Sequence, residues 1–312
     1  MILSVSRRTD IPNYYSEWFY NRIKEGFLYV RNPMNLHQVS KINLSLDVID
    51  CIVFWTKNPK NMIERIDEIS KFNYYFQFTL TGYGKDVEPN LPDKKANLID
   101  TFQELSEIIG PKRIIWRYDP ILLNNKYTFE FHIKVFKEIA EKLRGYTDRV
   151  VISFVDFYIK TKRNMEKLQI EEFEENKLIL LAIELAKIAN SNHMQIETCA
   201  EKIDLRRYGI EHGSCIDKKL IENIIGCKLL GFKDKSQREE CRCLESIDVG
   251  TYNTCLNGCK YCYANFSDKT VQSNASLYDI NSPILCGKIG DNDSIKEREV
   301  RSLKTEQISM FT

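Results

Sequence analysis

Three cysteines in the carboxyl-terminal third of the chain have the spacing of a metal site. They form the pattern C-x3-C-x2-C at Cys255, Cys259 and Cys262, with Gly258 inside the loop and Tyr261 directly before the last cysteine. A [4Fe–4S] cluster usually takes four cysteine ligands, so a loop with three leaves one iron open to bind a small molecule. A zinc knuckle is the alternative, but it needs four nitrogen or sulfur ligands and commonly has other spacings. The pattern therefore favours an iron–sulfur cluster.

A second group of cysteines precedes this loop. It consists of Cys199, Cys215 and the C-x-C pair Cys241 and Cys243. Four such thiols could hold an auxiliary [4Fe–4S] cluster or a structural zinc ion. Alternatively, they are ordinary buried cysteines that pack as small hydrophobic side chains. A C-x-C pair is weaker evidence than the C-x3-C-x2-C loop, so the sequence leaves these alternatives open.

Short apolar segments alternate with amphipathic ones through the first 200 residues. The predicted strands cover residues 3–6, 51–56, 74–81, 113–118, 150–157 and 195–199. The predicted helices cover residues 14–25, 59–71, 94–109, 129–144 and 171–190. Almost continuously apolar strands, such as residues 52–55, are typical of a parallel sheet covered by helices. The pattern predicts an α/β fold, with a partial or complete (β/α) barrel favoured over a doubly wound open sheet.

Polar side chains follow the predicted strands, at the edge where barrel enzymes carry their chemistry. They are Arg7, Arg8 and Asp10 after the first strand, Lys57 and Asn58 after the second, Arg117 and Asp119 at the fourth, and Glu197 at the sixth. Burying so many charges is costly unless they are paired or meet a ligand. They predict a mouth for an anionic substrate or a cofactor carboxylate, although Arg8–Asp10 and Arg117–Asp119 could be internal salt bridges. His37, in a predicted polar loop, could contact substrate or be merely structural.

The chain divides into three parts by composition. Residues 1–200 are expected to form the barrel body, residues 201–265 a cysteine-rich cluster-binding segment, and residues 266–312 an arm that packs on the body or is partly disordered. The net charge of +1 gives no indication of nucleic-acid binding. No apolar run is long enough to span a membrane. Without an export signal, the ten cysteines predict a cytoplasmic protein with reduced thiols.

Three segments resemble the bacterial domain-of-unknown-function 1848 family. They are residues 4–12 (SVSRRTDIP), 53–59 (VFWTKNP) and 259–265 (CKYCYAN). The family is similar to radical S-adenosylmethionine (SAM) enzymes, with the cysteine triad moved to the carboxyl-terminal part. The resemblance implies a (β/α)6 barrel, a [4Fe–4S] cluster on the triad, and a triad loop that folds back over the strand ends. It implies SAM at the open iron, with Tyr261, Glu197 and Asn58 as cofactor-binding residues.

The function expected from this resemblance is reductive cleavage of SAM, which starts radical chemistry on an unidentified anionic substrate. The expected catalytic residues are Arg7, Arg8, Asp10, Lys57, Arg117 and Asp119. An electron donor such as flavodoxin or ferredoxin is the expected partner. The alternative is a non-catalytic binding protein that carries iron–sulfur or zinc.

Overall fold

The computed structural model describes residues 1–155, 164–171 and 174–305. Its strands are β1 (Ile2–Val5), β2 (Phe27–Asn32), β3 (Asn35–Asn43), β4 (Cys51–Thr56), β5 (Tyr74–Thr79), β6 (Ile114–Ile121), β7 (Arg149–Phe154), β8 (Gln195–Thr198), β9 (Glu211–His212), β10 (Ile247–Asp248) and β11 (Ser294–Glu297). Its α-helices are α1 (Ile11–Tyr14), α2 (Ser16–Glu25), α3 (Lys60–Ile63), α4 (Ile99–Ile109), α5 (Phe129–Leu143), α6 (Glu175–Ser191), α7 (Lys218–Ile225) and α8 (Asp268–Ala275).

The main sheet has eight strands in the order β10-β1-β4-β5-β6-β7-β8-β9, and every neighbouring pair is parallel. The predicted α/β class is confirmed, and all six predicted strands are present. Residues 156 and 157, which the prediction placed in the fifth strand, lie outside the described part. In the described residues β9 and β10 are edge strands that do not pair with each other. The sheet is therefore open, and its topology is compatible with a partial barrel.

The two faces of the main sheet have different coverings because successive side chains of a strand point to opposite faces. One face carries Phe76, Trp116 and Ile152, which share a buried cluster with side chains of α4, α5 and α6. The other face carries Tyr75 and Ile115. These pack with a different set of buried side chains, from the segment that contains α7: Cys215, Ile216, Leu220, Ile221, Cys241, Cys243 and Leu244. The cysteine-rich segment thus covers the face that the main helices leave free.

The helices follow the predicted pattern, with two corrections. In α5, Thr128 caps the first turn by accepting from the Phe131 amide, and the buried face recurs at three- and four-residue steps. The helix expected over residues 14–25 is interrupted at Tyr15, which separates α1 from α2. The segment expected as one helix over residues 59–71 is α3 followed by a 3-10 turn at Ile66–Ile69.

A small second sheet has the order β11-β3-β2. Here the expected polar loop around residues 32–38 is wrong, because β2 and β3 pair as an antiparallel hairpin through this region. His37 lies on β3 with its side chain 71% exposed, and its Nδ1 atom is 3.5 Å from Asp293. It is not among the side chains that line the cavity described below.

The chain after residue 265 contacts the body at several points within the described residues. Strand β11 pairs in parallel with β3, and the Tyr29 amide donates to the carbonyl of Pro283 over 2.7 Å. Residues 306–312 lie outside the described part. Among the described helices, none combines the length and the apolar character that a membrane span requires.

Candidate functional site

A cavity of about 310 Å³ lies at the carboxyl ends of the parallel strands. Its wall contains both cysteine groups that the sequence singles out, with all seven of their side chains. The cysteines are Cys199, Cys215, Cys241, Cys243, Cys255, Cys259 and Cys262. The wall also contains every expected catalytic residue: Arg7, Arg8, Asp10, Lys57, Arg117 and Asp119. The fold therefore brings residues from opposite ends of the chain to one site.

The triad loop is fastened to the chain that follows β1. The Asn257 amide donates to the Asp10 carboxylate over 3.0 Å, and its oxygen accepts from Tyr14 OH over 3.0 Å. Asp10 also accepts from the backbone amides of Asn13 (3.2 Å) and Lys57 (2.8 Å). Burial raises the pKa of Asp10 even though these hydrogen bonds oppose the rise. Asp10, expected as a catalytic residue, is thus occupied with positioning the loop.

The turn of the triad loop requires glycine at position 258. Gly258 has a φ of +69°, a left-handed conformation that residues with a Cβ atom adopt only with strain. A Cβ atom there would also lie 3.0 Å from the Asn90 amide nitrogen. Asn90 in turn donates to the Leu256 carbonyl over 2.7 Å. The loop therefore approaches the chain after β5 as well as the chain after β1.

Tyr261 is held by a buried ionic group that the sequence analysis missed. Its hydroxyl donates to the Glu88 carboxylate, and Lys57 Nζ lies 2.8 Å from both the Tyr261 hydroxyl and the same carboxylate. Lys94 and Thr81 bond to the other carboxylate oxygen. Burial opposes ionisation, but the charges of Lys57 and Lys94 keep the pKa of Glu88 far below its usual range. Glu88 therefore connects the chain after β4, the chain after β5 and the triad loop.

Two arginines lie against the indole ring of Trp55 in the cavity wall. The guanidinium carbons of Arg7 and Arg117 lie 5.0 and 5.4 Å from the indole centroid. Arg117 donates from Nε to Asp119 over 2.9 Å, so the internal salt bridge considered for this pair is present. Arg7 Nη2 is buried and makes no hydrogen bond within the described part of the chain. A buried donor without a partner is costly, which makes Arg7 the strongest candidate for contact with an anionic ligand.

Arg8 does not pair with Asp10. Its Nη1 donates to the Gly250 carbonyl over 3.3 Å, and its Nε lies 3.9 Å from Asp248. The guanidinium also lies 5.0 Å from the ring centroid of Tyr252. Arg8 therefore ties the end of β1 to the chain just after β10.

The four cysteines of the second group lie against one another. The Sγ atoms of Cys199 and Cys215 are 3.0 Å apart, and Cys241 and Cys243 are close enough to these thiols for the group to shift one another's pKa values. Hydrogen bonding from Cys215 and then the charge of Arg117 lower the pKa of Cys199. Hydrogen bonds from its two thiol neighbours and then the charge of Arg7 lower the pKa of Cys243. The same thiol contacts raise the pKa values of Cys215 and Cys241, so two of the four thiols are shifted toward the anionic form.

The three triad thiols all have raised pKa values. Burial raises the pKa of Cys255 to about 12 and also raises the pKa values of Cys259 and Cys262. A metal that binds such thiols supplies the positive charge that deprotonates them. In the parts of the chain that are described, no group of three or more Cys, His, Asp or Glu is spaced to hold a metal ion. An iron–sulfur cluster requires a different arrangement of cysteines from a single ion, because each of its cysteines binds a different iron.

Two expected cofactor-binding residues lie outside the cavity wall. Glu197 Oε1 is 3.5 Å from Arg149 Nε, and its other carboxylate oxygen is packed against Gly213. The Asn58 side chain accepts from the Lys60 amide at 3.4 Å, which stabilises the start of α3. The position of neither residue supports the expected contact with SAM. Tyr261, the third expected cofactor-binding residue, does line the cavity.

A family model matches most of the chain. No match was found among curated proteins or among solved structures. The family described as "Domain of unknown function (DUF1848)" matches residues 2–264, which include both cysteine groups and every strand of the main sheet. The chain therefore belongs to the DUF1848 family.

Proposed function

We propose that this protein is a radical SAM-type iron–sulfur enzyme that reductively cleaves SAM to start radical chemistry on an anionic substrate. One observation carries the proposal. The cysteine triad lines the same cavity as Arg7, Lys57 and Arg117, at the strand edge where barrel enzymes act. A cluster with a purely structural role has no need of such a cationic wall.

The residues of the triad loop are suited to a [4Fe–4S] cluster. Cys255, Cys259 and Cys262 would hold a [4Fe–4S] cluster, which with SAM bound supplies the electron for reductive cleavage of a carbon–sulfur bond. Between Cys243 and Cys286 the sequence has no other cysteine and no histidine. The loop thus offers three ligands, which is the number expected when one iron must stay open for SAM.

The side chains of the wall have separate tasks in this proposal. Arg7 binds a carboxylate of SAM or of the substrate, because its buried Nη2 donor has no hydrogen-bond partner among the described residues. Trp55 packs against the Arg7 and Arg117 guanidinium groups and presents a flat apolar surface. Asp119 accepts from Ser153 and from Arg117 and so fixes the direction of that arginine. Together with Tyr261, these groups line the cavity.

The test uses protein purified and reduced without oxygen. We expect the electron paramagnetic resonance signal of a reduced [4Fe–4S] cluster to change when SAM is added, and SAM to be consumed when a strong reductant is present. Product formation is measured by mass spectrometry. If adding SAM does not change the electron paramagnetic resonance signal and no SAM is cleaved, the result would support the non-catalytic alternative and contradict this proposal.

Arg7→Gln is expected to slow SAM cleavage without unfolding the protein. Loss of one charge-assisted hydrogen bond to a carboxylate costs about 1.5–3 kcal/mol, which corresponds to a reduction of about ten- to hundredfold. The rate of SAM cleavage, the melting temperature and the metal content are measured together. Arg206→Gln is the matched control, since Arg206 lies on the surface and pairs with Asp204 at 2.6 Å. Equal rates of SAM cleavage in the two variants would show that Arg7 is not part of the proposed site.

A further inference from the structure

Two sulfurs of the second cysteine group are close enough to bond to each other. Cys199 and Cys215 are free thiols whose Sγ atoms lie 3.0 Å apart. A disulfide bond is about 2.05 Å long, so the two atoms would have to approach by about 1 Å, a change that small side-chain rotations provide. Both side chains line the cavity. The cavity wall therefore contains a pair of thiols that can form a disulfide.

The backbone holds these two thiols side by side. Cys199 directly follows β8, and Cys215 lies three residues beyond β9. Strands β8 and β9 pair in parallel at two positions, and just beyond them the Gly213 amide donates to the Thr198 carbonyl over 2.9 Å. The Cys199 amide donates to the carbonyl of Ile152 on β7 over 3.1 Å. The sheet therefore positions both chain segments, and the sulfurs can bond without movement of a strand.

The two thiols differ in their access to the cavity and in their ionisation. Cys199 is partly exposed, whereas Cys215 is 4% exposed. Hydrogen bonding from Cys215, and then the charge of Arg117, lowers the pKa of Cys199 to about 7 against the effect of burial. Because the thiolate is the nucleophile in thiol–disulfide exchange, Cys199 is the member that can attack a molecule in the cavity. Cys215 is the buried member that lies within reach of the Cys199 sulfur.

We propose that Cys199 and Cys215 form a redox-active dithiol that reduces low-molecular-weight disulfides at the wall of the cavity. The inference goes beyond the radical SAM proposal and does not depend on it, since thiol–disulfide exchange requires neither a cluster nor SAM. A dithiol uses two of the four thiols in the second cysteine group and needs no ion. This agrees with the described residues, where no group of three or more Cys, His, Asp or Glu is spaced to hold a metal ion.

The exchange has two steps. The Cys199 thiolate attacks one sulfur of the small disulfide, so that a mixed disulfide forms and the other half leaves as a thiolate. Cys215 then passes its proton to that thiolate, attacks Cys199 Sγ and displaces the second half, which also leaves as a thiolate. The protein pair loses two electrons and becomes a disulfide. The small disulfide gains these electrons and becomes two thiols.

The new bond would change both the cavity wall and the edge of the sheet. In the dithiol, Arg117 Nη1 lies 2.7 Å from Cys215 Sγ. Bond formation would draw this sulfur toward Cys199, so the surroundings of the arginine depend on the redox state. The bond would also close a loop over residues 199–215 that contains β9, an edge strand of two residues. Because such a cross-link constrains the unfolded chain, oxidation should raise the melting temperature.

The test treats anaerobically purified, full-length protein with glutathione disulfide. We expect about two molecules of glutathione to be released per chain, together with a Cys199–Cys215 disulfide that is mapped by mass spectrometry of alkylated peptides. Cys199→Ser should abolish this release. Cys215→Ser should stop the reaction after the first step, with about one glutathione released and one retained on Cys199. Cys227→Ser is the matched control and should behave as the wild type, since Cys227 is also partly exposed but lies outside the cavity wall.

Alkylation of the wild type keeps the proposal testable if a serine variant fails to fold. With limiting iodoacetamide, Cys199 should be labelled faster than Cys227, and earlier treatment with glutathione disulfide should block the labelling of Cys199 and Cys215 together. The proposal is overturned if no glutathione is released, if the bond that forms joins other cysteines, or if Cys215→Ser releases as much glutathione as the wild type. Iron or zinc that the wild type binds and Cys199→Ser/Cys215→Ser loses would also overturn it. Failure of SAM cleavage alone would affect only the radical SAM proposal.

Discussion

Replacing Cys255, Cys259 and Cys262 together by alanine is expected to remove all iron from the protein and to abolish SAM cleavage. The reason is local, because these three thiols are the only cysteine or histidine ligands between Cys243 and Cys286. The loop itself should stay in place. Its anchors are the bonds of Asn257 to Asp10 and of Tyr261 to Glu88, and neither uses a cysteine side chain. Iron per chain, the visible absorption and the rate of SAM cleavage are measured on anaerobically purified protein.

Cys227→Ala serves as the control for this experiment. Cys227 lies just beyond α7 and outside the cavity wall, so its loss should leave the iron content and the colour unchanged. A triple variant that keeps its full iron complement would show that the cluster is held elsewhere. If the triple variant loses only part of its iron, the remainder would have to lie on the second cysteine group. That result would favour an auxiliary cluster there over zinc.

Local sequence patterns were sufficient to predict the central part of the sheet and most of the cavity wall. Apolar runs locate the strands, and parallel strands place their carboxyl ends on one edge, so residues as distant as Arg7 and Arg117 come together. The C-x3-C-x2-C spacing identifies the triad loop without any tertiary information. The sequence does not predict the direction from which the triad loop approaches the cavity. The bonds of Asn257 and Tyr261 to distant residues determine it.

The missed and misplaced residues share a physical cause, since their roles depend on contacts far apart in the sequence. Glu88 lies after β5 in a stretch without periodicity, and it is 173 residues away from Tyr261. Glu197 lies on the face of β8 that the prediction required. Its carboxylate pairs with Arg149 on the neighbouring strand, however, and does not line the cavity. The two-residue strands β9 and β10 are too short for any alternation to be detected. Propensity is a weak guide for such elements.

Glu88→Gln is expected to destabilise the protein by about 3–5 kcal/mol, the cost of leaving buried charges without their partner. The Glu88 side chain is fully buried, and those of Lys57 and Lys94 are 13% and 15% exposed. The substitution preserves the shape of the side chain but removes the negative charge that both lysines share. It also weakens the acceptor for the Tyr261 hydroxyl, so the triad loop should lose protection against hydrogen exchange. Unfolding by urea measures the change in stability.

Two further variants separate this charge effect from a general loss of packing. Glu68→Gln breaks a comparable contact with Lys24 and Arg65 at the surface, where Glu68 is 29% and Lys24 62% exposed, and should cost only about 0–1 kcal/mol. Adding Lys94→Met to Glu88→Gln removes one of the two uncompensated charges and should restore part of the lost stability. If Glu88→Gln costs no more than Glu68→Gln, the buried group does not hold the loop. If Lys94→Met restores none of the stability lost in Glu88→Gln, the repulsion between the two buried lysines is too weak to explain that loss. The loss of stability would then arise from packing.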